Sequence, residues 1–392
     1  MTTGILSSWG DNALGQLGEG SNSGRTTAGE VKGLEEVVAI EAGSGHALAV
    51  RADGTVWAWG RNSFGQLGDG TMTNQSLPVQ VQGLTDIVKV GGGGGHSLAL
   101  RRDGTVWAWG AGFFGALGPA TFGLQPTPVR VEGLDAVLDI CVGGAHNLAR
   151  REDGTLWTWG RDDHGQLGDG GDTGRPGRVV LEYQAHRFPV RPVPAAVDGV
   201  GAAAVLSAGG GQSLVIQADG TLLVWGFNDF GQLGDGTTED RSTPLVVPGL
   251  PARVRSVSGA YHHTVAALDD GTVWAWGLND GGQLGDGSTT NRAVPARLNG
   301  LTDVVAVATN GGGTDSQPGG GGHGYALRSD GTVWSWGYND GGQLGDGSTT
   351  NRTVPVPVAD LSGVTAIAAG GEIPPTNSFS AAPVGGFGIA LL

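Results

Sequence analysis

The sequence predicts an all-β protein in which the whole chain, residues 1–392, closes into one seven-bladed β-propeller. Three observations predict this fold. An Asp-Gly-Thr-x-x-x-Trp-Gly motif recurs six times, and a degenerate seventh copy, 4–10, opens the chain. No segment carries a convincing 3.6-residue apolar period, so helices are not expected. The last residues, 387–392, match a strand whose continuation stands at the start of the chain.

The repeat sets the blade boundaries. The final glycines of the seven motifs include three successive intervals of 50 residues. Self-similarity at such a period is typical of propellers, in which each repeat supplies one blade. The final glycines are Gly10, Gly60, Gly110, Gly160, Gly226, Gly277 and Gly337. The predicted repeat units are 11–60, 61–110, 111–160, 161–226, 227–277, 278–337, and 338–392 joined to 1–10.

Each unit reads as about four short strands. In the second unit, a turn-rich stretch (62–70) precedes a proline-bearing extended segment (77–81) and an apolar run (87–90). A glycine loop then ends at His96, and an alternating strand follows it. An Asp-Gly turn, a strong hairpin signal, joins that strand to the Trp strand. Four such strands form one propeller blade.

Pairing of the two chain ends closes the ring. Residues 387–392 correspond to the His96–Arg101 strand but lack the Asp-Gly turn and Trp strand that should follow it. Residues 4–10 supply that missing Trp strand. We therefore expect both ends to share one blade, which removes the exposed edges of an open array.

Composition excludes several function classes. The 22 Lys and Arg residues against 37 Asp and Glu give a formal charge of −15, which disfavours binding to nucleic acid or to an anionic membrane. The single cysteine, Cys141, excludes an internal disulfide. The first ten residues do not read as a signal peptide, so we expect a cytoplasmic monomer. Abundant Arg and Ala with little Lys is typical of bacteria with G+C-rich genomes.

The motifs carry a family resemblance. Gly-x-x-His-x-Leu-Ala-Leu, Asp-Gly-x-Val-Trp-x-Trp-Gly and Gly-Gln-Leu-Gly together resemble the regulator-of-chromosome-condensation repeat, over essentially the whole chain. The resemblance implies a seven-bladed propeller that binds a macromolecule through one face. Relatives include an exchange factor for a nuclear GTPase, ubiquitin-ligase subunits and a bacterial β-lactamase inhibitor. Because fold does not fix function, the resemblance names no partner.

The Trp and Asp-Gly motifs are interpreted as structural. All 12 Trp lie in the Trp strands, where residues two apart share a face, so each pair is expected to pack against a neighbouring blade. The Gly-Gln-Leu-Gly-Asp-Gly segments lack the spacing of a calcium loop and are better explained as turns. We predict no metal and no cofactor, and no standard catalytic motif is present.

One repeat position is a candidate binding ring. Five histidines occupy it, and equivalent positions should surround one mouth of the propeller channel. Either each imidazole supports its own glycine loop, or the ring forms a polar floor for a ligand or partner. Such a ring of histidines would change charge near pH 6. In the exchange factor that the repeat resembles, some histidines at this position lie on the partner-binding face. The position holds His46, His96, His146, Gln212, His263, His323 and Phe387.

Departures from the repeat are further candidates, because loops carry binding residues. Insertions at about 310–320 and 371–386 lie in adjacent glycine loops, and they are either a lid over the His mouth or decoration. An insertion at about 172–198 falls between blades and holds four Arg, including Arg187, as a basic patch or a solvated crossover. Phe113 and Phe114 replace polar loop residues and are either an apolar contact surface or a tuck into the core.

Two functions remain open at this stage. The first is a scaffold that binds a protein partner through one propeller face, at the mouth lined by glycine loops and histidines. The alternative is a small-molecule-binding or catalytic propeller with a pocket at that mouth, covered by the 310–320 and 371–386 loops. Its candidate residues would be the ring histidines with Tyr261, Tyr325 and Asp315. No nucleophile–base pair can be assigned from sequence.

Overall fold

The computed structural model describes residues 4–119, 121–171, 177–183, 186–310, 322–371 and 385–392. Within these residues, every regular element is a β-strand, and the strands form seven antiparallel sheets. Each sheet is one blade, so the predicted seven-bladed propeller is confirmed. In the part of the chain that is described, no helix could span a membrane.

The blades are numbered 1 to 7 from the sheet that begins at Val37, and their strands run from the central channel outwards. The first strands, which line the channel, are β3 (Val37–Ala42), β7 (Ile87–Gly92), β11 (Val137–Val142), β16 (Ala203–Ala208), β20 (Val254–Gly259), β24 (Val304–Asn310) and β28 (Ala366–Gly370). The second strands are β4 (His46–Arg51), β8 (His96–Arg101), β12 (His146–Arg151), β17 (Gln212–Gln217), β21 (His263–Leu268), β25 (His323–Arg328) and β29 (Phe387–Leu391).

The third strands carry the Trp motif. They are β5 (Val56–Gly60), β9 (Val106–Ala111), β13 (Leu156–Arg161), β18 (Leu222–Gly226), β22 (Val273–Gly277), β26 (Val333–Gly337) and β1 (Leu6–Gly10). The outer strands are β6 (Gln75–Gln80), β10 (Leu124–Arg130), β15 (His186–Ala196), β19 (Arg241–Val246), β23 (Arg292–Arg297), β27 (Arg352–Pro357) and β2 (Arg25–Glu30). Blade 3 adds a fifth strand, β14 (Val179–Tyr183), outside β15.

The two chain ends share blade 7, as the sequence predicts. Strand β1 pairs with β29 in a register that places Leu6 opposite Leu391 and Gly10 opposite Phe387. The sheet order β28-β29-β1-β2 therefore combines two strands from each end of the chain. Because β1 is an interior strand of this sheet, the ring is closed by backbone hydrogen bonds.

The second Trp of each motif is the main packing element between blades. Trp109 of blade 2 is fully buried against Leu48, Val56 and Ala58 of blade 1. Its indole Nε1 donates a hydrogen bond to the Gln66 carbonyl, 2.8 Å away, in the blade 1 loop. The equivalent bonds at 2.8–3.0 Å are made by Trp9, Trp59, Trp159, Trp225, Trp276 and Trp336.

Strand register defines two faces of the propeller. In blade 1, Gly60 lies opposite both His46 and Gln75, so the loop before His46 and the loop after Gly60 lie at the same end. We call the end that carries these two loops of each blade the glycine-loop face. The Asp-Gly turns between second and third strands, such as the turn at Asp53, lie at the other end, the turn face.

Candidate functional site

The side chains of the ring histidines lie in the interfaces between blades. His46, His96 and His146 are at most 1% exposed. Their Nε2 atoms lie 2.9 Å from Ser97 Oγ, 2.9 Å from Asn147 Oδ1 and 3.0 Å from Ser213 Oγ in turn, each on the next blade. These three imidazoles therefore hold successive blades together.

The next positions of the ring follow the same pattern. The Gln212 amide donates to the carbonyls of Ala260 and His263 at 3.1 and 3.2 Å. His263 Nε2 lies 2.6 Å from Thr309 Oγ1, and its side chain is 1% exposed. His323 and Phe387 are fully buried. Of the two interpretations left open from sequence, a structural role fits these positions better than a polar floor, because their side-chain hydrogen bonds run to neighbouring blades.

Burial also changes the acid–base properties of this ring. Desolvation lowers the pKa of His46, His146 and His263 to about 3, and neighbouring histidines add to the effect. Burial lowers the pKa of His96 to about 4, although its hydrogen bond to Asn147 opposes the shift. The expectation of a charge change near pH 6 is therefore wrong for these four side chains, since they are neutral throughout the physiological range.

Close contact between glycine loops explains why glycine recurs there. The Ser44 amide donates to the Gly93 carbonyl at 3.1 Å, and the Gly94 amide donates to the Gly144 carbonyl at 3.0 Å, so successive loops are joined around the channel. A Cβ atom on Gly43 would lie 2.3 Å from His46 Cε1 and 2.6 Å from the Gly93 carbonyl oxygen. Any side chain at this position would therefore push the two blades apart.

The loop after each Trp strand is held by its own polar residues. In blade 1, Asn62 Oδ1 accepts the Leu67 amide at 3.0 Å, and Nδ2 donates to the Thr73 carbonyl at 3.1 Å. Asp69 accepts the Thr71 amide at 2.9 Å. The Leu67-type bond recurs at Asn12, Asn228, Asn279 and Asn339. These Asn and Asp side chains therefore form turns, which is the interpretation made from sequence.

Phe64, Phe113, Phe114 and Phe188 form a first aromatic cluster on the glycine-loop face, across blades 1 to 3. Phe64 and Phe113 meet edge-to-face at 6.5 Å, and Phe114 meets Phe188 at 5.5 Å. The Arg161 guanidinium lies 5.3 and 5.4 Å from the Phe114 and Phe188 rings. Phe64, Phe113 and Phe114 are half-buried, whereas Phe188 is buried. Phe113 and Phe114 therefore match neither prediction fully, because part of each side chain packs on neighbouring rings and part stays exposed.

Phe227, Phe230, Tyr261, His262 and His164 form a second aromatic cluster, across blades 3 to 5. The His262 ring lies 4.5 Å from both Phe230 and Tyr261, and His164 lies 4.4 Å from Phe227. His262 is fully buried, neither ring nitrogen has a hydrogen-bond partner among the described residues, and desolvation lowers its pKa to about 3. Phe230 and His164 are half-buried at the surface.

His164 is the one described histidine here whose charged form is favoured. Its Nδ1 lies 2.8 Å from Asp240 Oδ2, and its Nε2 lies 3.7 Å from Asp163 Oδ2. Burial opposes protonation, but the hydrogen bond to Asp240 and the charges of both aspartates raise the pKa of His164 above its usual value. Sequence reasoning missed His164 and His262, because neither occupies the ring position.

The insertion near residue 172 lies inside blade 3 and not between blades. Its described residues, 177–183 and 186–198, contain the paired strands β14 and β15, which continue from the glycine-loop end, where Val190 pairs with Arg161. Arg191 and Arg178 are buried in ion pairs: Arg191 lies 2.5 Å from Asp169, and Arg178 contacts Asp162 and Asp169. The predicted basic patch is therefore wrong for these two arginines.

Arg187 is the exposed arginine of this hairpin, with 73% of its side chain accessible and Glu182 at 3.6 Å.

Tyr325 is buried, and its hydroxyl donates a hydrogen bond to the Gln343 carbonyl. Burial raises the pKa of Tyr325 far above its usual value, so it is poorly suited to proton transfer. Asp315 and most of the 310–320 and 371–386 loops lie outside the described residues.

Comparison with known proteins places the chain in a family. A family model described as RCC1-like domain matches residues 5–373. The chain belongs to the RCC1-like domain family. Its fold matches that of Prp20p from Saccharomyces cerevisiae with a TM-score of 0.78 at 21% identity, covering 99% of this chain and 91% of Prp20p. Human WBSCR16 gives a TM-score of 0.78 at 21% identity, covering 99% of this chain and 98% of that one.

Sequence relatives match only part of the chain. E3 ubiquitin-protein ligase HERC2 from Homo sapiens is 33% identical over 161 residues, which are 40% of this chain and 3% of HERC2. The ultraviolet-B receptor UVR8 from Arabidopsis thaliana is 33% identical over 140 residues, 36% of this chain and 30% of the receptor. The matches thus span less than a third of either relative. These comparisons establish that the chain is an RCC1-like propeller.

Proposed function

We propose that this propeller binds a protein partner through its glycine-loop face, with the two aromatic clusters at the centre of the contact. The observation that carries the proposal is the set of half-exposed rings on that face. Phe64, Phe113, Phe114 and Phe230 each present part of a ring to solvent while the rest packs on the scaffold. Rigid, partly buried aromatic side chains lose little conformational entropy on binding.

The chemistry of the first cluster is suited to a binding hot spot. Aromatic and Arg side chains are enriched where truncation costs most binding energy. Arg161 lies between two phenylalanine rings, and Arg61 lies 5.0 Å from the Phe64 ring. The cations thereby hold the rings in place, so a partner meets a surface that is already ordered. Preorganisation of this kind reduces the entropy lost on association.

The β14–β15 hairpin adds a rim beside this surface. Phe188 anchors the hairpin by packing on Phe114 and Arg161, while Val179 and Val180 are 44% and 38% exposed. Exposed Arg187 lies on the same hairpin. A partner seated on the aromatic clusters would meet these side chains at the edge of the interface, where charged residues are typical.

The relatives support a protein-binding role without naming a partner for this chain. The crystal structure of Prp20p was described together with its binding to Gsp1p and histones. A second structure contains Kap60 bound to Prp20p. HERC2 is a ubiquitin-protein ligase. Prp20p has the same fold as this chain and binds proteins, which favours the same general role here.

Affinity capture from a lysate of the source organism, with matched variants, tests the proposal. F113S/F230S removes one half-exposed ring from each cluster, and L138S removes a 53% exposed apolar residue towards the turn face. We expect a protein retained by the parent and by L138S to be depleted at least tenfold by F113S/F230S. Equal retention by F113S/F230S, or depletion by L138S alone, would overturn the proposal. Unchanged melting temperatures establish that each variant is folded.

A further inference from the structure

The central channel contains a charged site that the proposed partner-binding role does not use. The seven first strands enclose a cavity of about 200 Å³. At one level of this cavity, Glu41 and Cys141 lie on one wall, and Ser207 and Ser258 lie on the other. Such a volume accommodates a small organic molecule of roughly ten non-hydrogen atoms.

An ion pair between blades 2 and 3 interacts electrostatically with Glu41. Lys89 Nζ lies 2.5 Å from Asp139 Oδ1, and their side chains are 38% and 15% exposed. Asp139 Oδ1 also accepts the Ile140 amide at 3.0 Å. Because Lys89 is paired with Asp139, it offsets the charge of Glu41 only in part.

Glu41 itself has few partners. Its Oε2 accepts the Ala42 amide at 3.3 Å, and no Lys, Arg or His of the described residues lies within 4 Å of its carboxylate. Burial raises the pKa of Glu41, and the charge of Lys89 opposes that shift. The groups that face this carboxylate are Lys89, Asp139 and Cys141, and burial raises the pKa of the Cys141 thiol to about 12, so it stays neutral. One acceptor therefore remains available in a partly enclosed cavity.

The opposite wall offers additional acceptors. Ser207 Oγ accepts the Gly259 amide at 3.2 Å, and Ser258 Oγ accepts the Thr309 amide at 3.0 Å. Each hydroxyl oxygen has a second lone pair. An ammonium group carries three N–H donors, and the Glu41 carboxylate can accept from more than one of them. A calcium ion, by contrast, requires six to eight oxygen ligands and more than one carboxylate as a rule.

We propose that the channel binds a small organic cation with a primary ammonium group, held by the Glu41 carboxylate. The ammonium group supplies the direct ion pair that no Lys, Arg or His of the described residues makes with Glu41. The small cavity admits a short amine and excludes a bulky one. This site is separate from the aromatic clusters, so it does not depend on the proposed partner.

Saturation-transfer NMR with ethylammonium chloride tests this site on the intact chain at pH 7.5. We expect saturable binding to the parent, at least a tenfold weaker affinity for E41Q, and a change of less than twofold for C141S. F113S/F230S should bind the amine like the parent, which separates this site from the partner-binding face. Tetraethylammonium should not compete, because it has no N–H donor.

Two results would overturn the proposal. One is the absence of saturable ethylammonium binding to the parent, and the other is equal binding to parent and E41Q. Displacement of the amine by calcium chloride at matched ionic strength would instead assign a metal site and also contradict it. E41Q should unfold at the same temperature as the parent or higher, because it removes a desolvated carboxylate that has no ion pair within 4 Å among the described residues and keeps the shape. Loss of binding in E41Q is therefore distinct from loss of fold.

Discussion

The two faces of this propeller are built from the same repeat, but equivalent positions vary much more from blade to blade on the glycine-loop face than on the turn face. On the turn face, an aspartate side chain accepts the backbone amide of the threonine two residues on, at 2.9–3.0 Å, in six blades. These bonds lower the pKa values of the aspartates. The turn face is therefore nearly the same in each of these blades.

The glycine-loop face differs from blade to blade at equivalent positions. The residue just before the Gly of the Gly-Gln-Leu-Gly-type loop is Leu14, Phe64, Phe114, His164, Phe230, Gly281 or Gly341. Change on this face is compatible with the fold because the scaffold is fixed by the buried Trp and His contacts beneath it. The turn face thus keeps the repeat constant, and variation on the other face is what we expect if the glycine-loop face carries specificity, as proposed.

The largest expected effect comes from breaking the scaffold that supports both faces. Trp109→Ala removes a fully buried ring and its bond to the Gln66 carbonyl, and it should lower the free energy of unfolding by about 3–5 kcal/mol. Urea unfolding of the variant measures this change. Trp107→Phe is the matched control, because Trp107 is half-buried and should cost much less. Equal losses in both variants would show that the second Trp has no special role.

A second prediction concerns blade 3, where Asp162 stands at the position of the loop asparagine. Burial raises the pKa of Asp162 to about 6, against the opposing charge of Arg178. A raised pKa means that the folded protein holds the proton more tightly than the unfolded chain does. The contribution of Asp162 to the free energy of unfolding therefore decreases as pH rises from about 4 to 6. Asp162→Asn should remove about 2 kcal/mol of that pH dependence.

Unfolding free energies of the parent and D162N between pH 4 and 7 measure the effect. N228D, which introduces the same carboxylate in blade 4 without an Arg178 equivalent, should destabilise the protein near pH 7. Arg178→Met should also destabilise it, because Asp162 and Asp169 would lose a shared cation. Parallel pH profiles for parent and D162N would contradict this account.

The smallest effect is expected on the turn face. Asp103→Ala removes side-chain bonds to the Thr105 amide and hydroxyl at 3.0 and 2.6 Å. These bonds are exposed, so the free energy of unfolding should fall by about 0.5–1 kcal/mol. Partner capture should be unchanged, because this turn lies away from the glycine-loop face. Loss of capture at full stability would place binding on the turn face instead.

Strong periodicity explains why the fold could be predicted from sequence. The Trp strands and Asp-Gly turns predict the strands, and the seven motif copies predict the number of blades. The matching chain ends predict closure of the ring. The direction of the ring histidines could not be predicted, because a glycine loop does not reveal whether the next side chain faces the channel or the neighbouring blade. Their partners, such as Ser97 for His46, lie about one repeat away.

His262, which sequence reasoning missed, did leave a signal in the sequence. His262 and the predicted candidate Tyr261 occupy loop positions that hold Gly or another small residue in blades 1 to 4, which marks this loop as different. Asp162 replaces the loop asparagine, so a compensating cation such as Arg178 could have been expected. Glu41 and Lys89 are ordinary polar residues of predicted strands. Their electrostatic interaction depends on how blades 1 and 2 pack, which the sequence does not reveal.

Site-specific photo-crosslinking is the most direct test of the central claim, that partners bind the glycine-loop face. p-Benzoylphenylalanine is placed at residue 113 in one protein and at residue 138 in another, and both are irradiated in lysate of the source organism. The account predicts a discrete crosslinked partner from position 113 and none from position 138. The same partner crosslinked from position 138 and absent at position 113 would contradict it.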